Sequence, residues 1–284
     1  MLSSLNNTFG NCFKLIIQMF KNEFPIEAIL KNKEHLLLQS FNAAFFVSNS
    51  QKIPNIRYDV KKDLVIIPSS KSFSKEIKFH GGINNGDIIY GFLGNDYGKL
   101  PVREKTVVDV GANIGDTPIY FVLQGAKKVI GLEPFPQNYE LARKNITSNG
   151  FSDKIEMVLA GCSSRADSIV IDPRYESGIE SQLRNWSEGI TVPLLTIDEI
   201  IKKYDVPDGS ILKMDCEGCE YDSILYTSDI TLQRFSHIQI EYHSGYRDLK
   251  KKLERCGFKV TKSTPVATDV VNTFFQFLQK KNQH

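Results

Sequence analysis

The chemistry of this chain is concentrated where acids meet glycines. In Thr106-Val-Val-Asp-Val-Gly-Ala-Asn-Ile-Gly115 an apolar, Val-rich run precedes a glycine bend, the pattern of a buried strand turning tightly into a helix. The next apolar run ends in Glu133, about where a dinucleotide fold places a carboxylate on ribose hydroxyls, on the order of 20 residues after the first glycine. The glycine spacing selects the ligand. A pyrophosphate needs the close backbone approach of GxGxxG. Here the form is Asp-x-Gly-x-x-x-Gly, with Asp109 inside the strand where it would repel a phosphate. An acid there suits a ligand with an ammonium group and no phosphate. S-adenosylmethionine has that character, so Asp109 is expected near its amino group and Glu133 at its ribose; a turn-capping role is the alternative for Asp109.

A second group lies further along. One apolar run ends in Lys213-Met-Asp215 and continues Cys216-Glu217-Gly218-Cys219-Glu220; another ends in Ile240-Glu241-Tyr242-His243. Ligands of open parallel sheets collect beyond the carboxyl ends of the strands, so Asp215, Glu217, Glu241 and His243 are expected to converge there. Strand alternation puts Glu241 and His243 on one side. Methyl transfer to oxygen needs an acceptor in line and a group to take its proton. His243 or Asp215 is the expected base, with Glu217 and Glu241 orienting the acceptor. The bland alternatives are helix caps for Asp215 and Glu217 and a structural imidazole for His243. Three oxygen ligands and a histidine could also hold Mg²⁺ or Mn²⁺, but no metal is assigned. Cys216-x-x-Cys219 has no second CxxC beside it and reads as two small buried thiols at a helix start.

These residues require a particular set of elements. Beyond residue 100, strand and helix patterns alternate, which predicts a mainly parallel sheet with helices on both faces. Strands are expected at 106–110, 129–133, 155–159, 210–215, 237–242, 257–261 and 273–278. The clearest helices are 137–149, closed by Gly150, and 197–204, opened by a Thr196/Glu199 capping box. Residues 168–194 break the alternation with a short strand on either side of a polar loop holding Arg174, Tyr175, Arg184 and the single Trp186, side chains that could fold over a sugar or anionic acceptor. Residues 1 to about 50 read as helical, followed by a hairpin over residues 56–66 and glycine-rich loops. That divides the chain into a helical and hairpin extension, 1–100, which could cap the core or pair subunits into a homo-oligomer, and a ligand-binding domain, 101–284.

The bulk numbers restrict the function class. Lysine plus arginine number 35 against 33 acids, so no global field recruits nucleic acid or an anionic membrane. No run of eighteen apolar residues is present to span a bilayer, and the start of the chain lacks the features of a secretory signal. Five scattered cysteines fit a reducing compartment, so the expected location is cytoplasmic.

Taken in order, DVGANIGDTPIYF (109–121), GAKKVIGLEPFPQNYELARKNI (125–146), LLTIDEI (194–200), LKMDCEGCEYDSI (212–224) and IEYH (240–243) resemble an FkbM-type methyltransferase, a branch of the S-adenosylmethionine-dependent Rossmann-like enzymes. The resemblance implies a class I methyltransferase fold, a seven-strand sheet whose last strand runs antiparallel, and O-methylation of a hydroxyl on a sugar or other small metabolite. Carried over by position, Asp109, Gly111, Ala112, Asn113 and Gly115 would line the cofactor loop, Glu133 would hold the ribose and Ala160 would border the adenine. Asp215 and Glu217 match the acid-glycine turn at the reaction end, where Cys216 and Cys219 replace the more usual Val and Ala. The competing readings are a non-catalytic binding or assembly protein on the same fold, and a nicotinamide-dependent oxidoreductase, which the loop spacing disfavours.

Overall fold

The computed structural model describes residues 2–50, 52–70, 73, 75–89, 91–92, 97–173, 185–242, 245–262 and 274–280. The chain divides into two compact units, Met1–Asn95 and Asp96–His284.

The first unit begins with α1 (Leu2–Thr8) and α2 (Cys12–Phe20), then departs from the helical expectation. Residues Ile26–Ile29 and His35–Leu38 form an antiparallel hairpin, β1–β2, before α3 (Phe41–Ser50). Ile26 and Ala28 are buried while Glu27 between them is exposed, and Lys33 takes φ +70° in the connecting turn. The alternation outweighs the helical spacing of the same leucines because only a strand buries Ile26 and Ala28 together. A three-stranded antiparallel sheet follows, β3 (Arg57–Asp59), β4 (Leu64–Ile67) and β5 (Ile77–His80), which contains the expected hairpin. Within the expected glycine loop, Gly82–Asn85 form a short helix, α4, capped by Asp63, whose carboxylate accepts from the N–H groups of Ile83 and Asn84 at 2.8 and 3.1 Å.

The second unit is built on β6 (Thr106–Val110), β7 (Lys128–Glu133), β8 (Ile155–Leu159), β12 (Ser210–Met214), β13 (Phe235–Tyr242), β14 (Phe258–Lys262) and β15 (Phe274–Lys280). Their order across the sheet is β14-β15-β13-β12-β6-β7-β8. The five strands from β8 to β13 run parallel, and β15 is antiparallel to both neighbours. Every residue of β6 and β12 is buried, the mark of central strands covered on both faces. Crossovers between parallel strands are supplied by α5 (Asp116–Leu123), α6 (Pro136–Ser148), α7 (Ile197–Lys203), α8 (Cys219–Tyr226) and α9 (Asp229–Gln233), with α10 (Arg247–Arg255) leading to β14. The Thr196/Glu199 capping box opens α7 as its spacing predicts. A small sheet joins β9 (Gly161–Cys162), β10 (Asp167–Ile171) and β11 (Ile190–Leu195), so the break in alternation is a hairpin, β10–β11, paired onto β9. No helix among the described residues is long and apolar enough to cross a membrane.

Candidate functional site

The order reversal lies between β6 and β12, whose carboxyl ends adjoin in parallel register, Lys213 beside Asp109 and Met214 beside Val110. Two connections leave the sheet there, the glycine bend after β6 and the acidic turn after β12. They touch at one point. Gly111 sits at φ +80°, and a Cβ built on it would lie 1.7 Å from the carbonyl oxygen of Asp215, so only glycine fits. Gly115, at φ +83°, approaches α6 so closely that a Cβ would lie 3.1 Å from the Cα of Ala142.

The bend uses its own backbone donors internally. The N–H groups of Gly111 and Ala112 donate to Leu132 O at 3.0 and 2.9 Å, and that of Gly115 donates to Ala112 O at 2.9 Å. Asn113 donates its N–H to Glu133 Oε2 at 2.9 Å, and Asn138 holds the Asn113 side chain at 2.7 Å. A phosphate cradle needs such groups free, so this bend is not one. Glu133 ends β7 in the bend, buried, its second oxygen accepting from Phe135 N at 2.9 Å. Burial pushes its carboxyl up to about 8 although both N–H donors pull it down. Each oxygen keeps a further lone pair, the capacity that ribose hydroxyls would use. Ala160 follows β8, wholly buried, with its N–H donating to Glu133 O at 3.2 Å.

Asp109 is inaccessible, and the cation it meets belongs to the protein. Its carboxylate lies 3.0 Å from Lys213 Nζ and accepts from the Thr117 hydroxyl at 2.5 Å. Burial pushes the Asp109 carboxyl up, and Lys213 and Thr117 partly oppose this. Lys213 is itself buried and also donates to Gly111 O at 2.8 Å. Burial alone would favour loss of its proton, but Asp109 and Asp215 hold the ammonium charge above its ordinary range. Asp109, expected near a ligand's ammonium, carries an internal ion pair with Lys213.

A different acid keeps one oxygen without a partner among the described residues. Asp116, the first residue of α5, is buried, and its Oδ1 has no hydrogen-bond partner among the described residues. Burial raises its carboxyl to about 7. A buried carboxylate oxygen without a partner is rare in folded proteins and calls for a donor from outside the chain, such as a water, an ion or a ligand. With the bend's donors engaged, a carboxylate at the end of β7 and an acid with one unpartnered oxygen at the start of α5, these residues fit a phosphate-free adenosine compound bearing an ammonium group.

The acidic turn supplies the second half of the site. Asp215 is half-buried, 3.8 Å from Lys213 Nζ, and accepts from the Tyr97 hydroxyl at 3.3 Å. Tyr97 packs edge-on against Phe121 at 5.6 Å, and its ring lies 5.7 Å from Lys213 Nζ. Burial, with Asp215 and Glu241 nearby, raises its phenol far above the ordinary value, so it remains a donor. Glu241 follows Ile240, the register partner of Met214, and so meets Asp215 across the strand ends. Burial and the nearby Asp215 push the Glu241 carboxyl well up. Glu217 stands in the turn at φ +56°. The structure thus brings Asp215 and Glu241 together, with Glu217 two residues from Asp215; His243 lies outside the described residues. Among the described residues no cluster of three or more His, Cys, Asp or Glu could hold a metal ion.

Two readings of the sequence change. Cys216 and Cys219 are not separate buried thiols but a disulfide with Cα atoms 5.6 Å apart, both partly exposed, while Cys12, Cys162 and Cys256 are free and buried. A bonded pair also removes the inference of a reducing compartment from scattered cysteines. Trp186 packs against a small cluster of Phe135, Ile171 and Val192 beside the β10–β11 hairpin. Arg174, Tyr175 and Arg184 fall outside the described residues. Sequence reasoning passed over Tyr97, Asp116 and Lys213. Only Lys213 carried a signal, a lone cation inside an apolar strand, which needs a buried counter-charge.

Comparison with known proteins agrees with this geometry. The methyltransferase FkbM domain family matches residues 109–260, just over half of the 284 residues. The hexuronic acid methyltransferase AglP of Haloferax volcanii is 24% identical over 153 residues, 53% of this chain and 62% of that protein. Uncharacterized protein 158B of Sulfolobus islandicus rod-shaped virus 1 is 28% identical over 125 residues, covering 44% and 54% of the two chains. The ribosomal protein L11 methyltransferase of Tolumonas auensis is 40% identical over 61 residues, only 22% of this chain and 21% of that one. The chain spans 54% of the viral protein's length, 62% of that of AglP and far less of the ribosomal protein L11 methyltransferase. Among solved structures, M. capricolum TrmK in complex with S-adenosyl-homocysteine aligns with a TM-score of 0.43 at 14% identity, covering 67% of this chain and 68% of that one. The matched segment begins at Asp109, at the glycine bend, and ends within β14, taking in both connections at the order reversal. The chain belongs to the FkbM methyltransferase family, a branch of the S-adenosylmethionine-dependent Rossmann-like fold.

Proposed function

We propose that this protein is an S-adenosylmethionine-dependent methyltransferase acting on a hydroxyl group of a sugar or other small metabolite. The observation that carries the reading is the Asp215–Glu241 carboxylate pair set beside the glycine bend. S-adenosylmethionine, when bound, supplies an electrophilic methyl group on a sulfonium. The chain's residues do the rest. Glu133 receives the ribose hydroxyls. Asp116 receives the ammonium group on its unpartnered oxygen, while Lys213 keeps Asp109 and Gly111 fixed. Asp215, steadied by the Tyr97 hydroxyl, takes the acceptor's proton. Glu241 and Glu217 orient the acceptor. The name of the Haloferax relative supports a sugar acid as acceptor. The family match and the closed backbone donors of the bend both weigh against a nicotinamide-dependent oxidoreductase.

The test combines binding and transfer. Calorimetry with S-adenosylhomocysteine should show binding that disappears in Gly111→Arg, and methyl-labelled cofactor should pass its label to a hydroxylated sugar in an acceptor panel. Absence of binding to the wild-type chain would remove the whole reading. Binding without label transfer to any component of a cell extract would favour a non-catalytic binding or assembly role. We further propose that copies associate through the first unit, where Phe13 and Phe20 of α2 are 81% and 86% exposed.

A further inference from the structure

The acidic turn contains a feature that methyl transfer does not require. Cys216 and Cys219 close a ring around Glu217 and Gly218, whose φ angles are +56° and +122°. Cys219 is the first residue of α8, and both sulfur-bearing residues are partly exposed. The other three cysteines are buried, so this pair alone among the five can be reached from solvent without unfolding. The ring is mechanically continuous with the cofactor bend. Asp215 donates its N–H to Val110 O at 3.0 Å, its carbonyl packs on Gly111, and a Cβ at Gly111 would also stand 3.3 Å from the Cα of Cys216. On the other side, Glu220 accepts from the N–H groups of Cys216 and Gly218 at 2.8 and 2.9 Å. The turn is therefore held twice, by a covalent bond that reductants can open and by a carboxylate that they cannot.

We propose that Cys216–Cys219 is a thiol–disulfide exchange site, with a protein dithiol as its reaction partner, and that its redox state sets how firmly the acidic turn supports the glycine bend. A partner thiolate attacks one sulfur of the pair, breaking the Cys216–Cys219 bond and forming a mixed disulfide. The partner's second thiol then displaces it, so two electrons and two protons pass from the partner to leave Cys216 and Cys219 as thiols and the partner as a disulfide. Reduction leaves the Glu220 hydrogen bonds in place, so the turn loosens without unfolding. A loosened turn pre-organises the bend less, and the oxidised protein binds the cofactor more tightly. This last step rests on the proposed function; the exchange chemistry does not.

The experiment uses the full chain with dithiothreitol as the probe dithiol. Native alkylation after reduction should modify Cys216 and Cys219 together and leave Cys12, Cys162 and Cys256 unmodified, whereas the oxidised protein should take no label. S-adenosylhomocysteine should bind about five-fold more weakly to the reduced form, the scale of a modest coupling between sites. Cys216→Ser/Cys219→Ser should match the reduced wild type and ignore dithiothreitol, with a circular dichroism spectrum showing that it folds. Resistance of the pair to dithiothreitol under native conditions overturns the exchange site. Equal affinity in both redox states, or a double variant that behaves like the oxidised protein, overturns the coupling. Absence of S-adenosylhomocysteine binding in both states overturns the functional reading and the coupling with it, while a positive alkylation result still establishes the exchange site.

Discussion

The glycine bend and the acidic turn leave neighbouring strands at the same end of one sheet, yet they are built on opposite electrostatic plans. At the bend, Asp109 is balanced by Lys213 at 3.0 Å and by the Thr117 hydroxyl, and the backbone donors of Gly111, Ala112, Asn113 and Gly115 are all engaged. At the turn, Asp215, Glu217 and Glu241 gather, with Lys213 3.8 Å from Asp215. The first is a rigid wall; the second holds excess negative charge. Lys213 stands between them and belongs to both. A structural site satisfies its charges, and a reactive one leaves some for the ligand.

The sharpest way to break the contrast is to remove the shared cation. Lys213→Met keeps the length of the side chain but leaves Asp109 buried and uncompensated, which should cost about 3–5 kcal/mol. Thermal unfolding should then fall by on the order of 10 °C. Adding Asp109→Asn should restore much of the loss, because the uncompensated charge goes with it. A double variant no more stable than Lys213→Met would mean that the wall does not depend on charge balance.

Next in size is the reactive side. Asp215→Asn should lower turnover by about 10²-fold while changing S-adenosylhomocysteine affinity little. Parallel loss of both in calorimetry and label transfer would make the turn a second structural wall. Tyr97→Phe should shift in the same direction by a smaller factor, since it removes one donor to Asp215 and leaves the carboxylate in place.

A pH titration separates Asp116 from Asp109. Asp116 keeps its proton up to about 7 in the free protein, and an ammonium partner requires it ionised. Affinity for S-adenosylhomocysteine should thus be complete above about 7 and fall as pH drops below it, by about tenfold per unit well below the midpoint. Asp116→Asn should remove the part of that slope centred near 7. The stability of the free protein has the opposite sign. The unfolded chain loses this proton near 3.8 and the native one near 7, so the contribution of Asp116 declines as pH rises between them. An unchanged slope in Asp116→Asn would return the ammonium to another acid.

The smallest effect on chemistry is expected from changes in the first unit. Phe13→Ser/Phe20→Ser should reduce association in sedimentation experiments and leave turnover per chain unchanged. A monomeric wild-type protein would remove the homo-oligomer proposal.

Most of the second unit was legible because its signals are local. Val-rich runs, the glycines after β6, Gly150 after α6 and the Thr196/Glu199 box each fix one element through propensity or steric need, and all seven main-sheet strands begin and end within two residues of their expected limits. The first unit was misread where local signals conflict. Residues 26–38 carry leucines that fit a helix, and burial of Ile26 and Ala28 decided for a strand. Within the site, the acids could be named but their partners could not. Asp109, Asp116 and Asp215 look alike as residues in a sequence.

By itself the sequence determined the alternating fold, the position of the bend, Glu133 at the end of β7 and the acids gathered at the strand ends, since each follows from residue type and spacing along the chain. Tertiary structure alone decided which acid is balanced, which keeps an unpartnered oxygen and which faces a second carboxylate, and that the two cysteines of the turn are joined. Register across β6, β12 and β13 put Lys213 against Asp109 and Glu241 against Asp215, and no property of a single segment encodes which charge another segment will bring beside it.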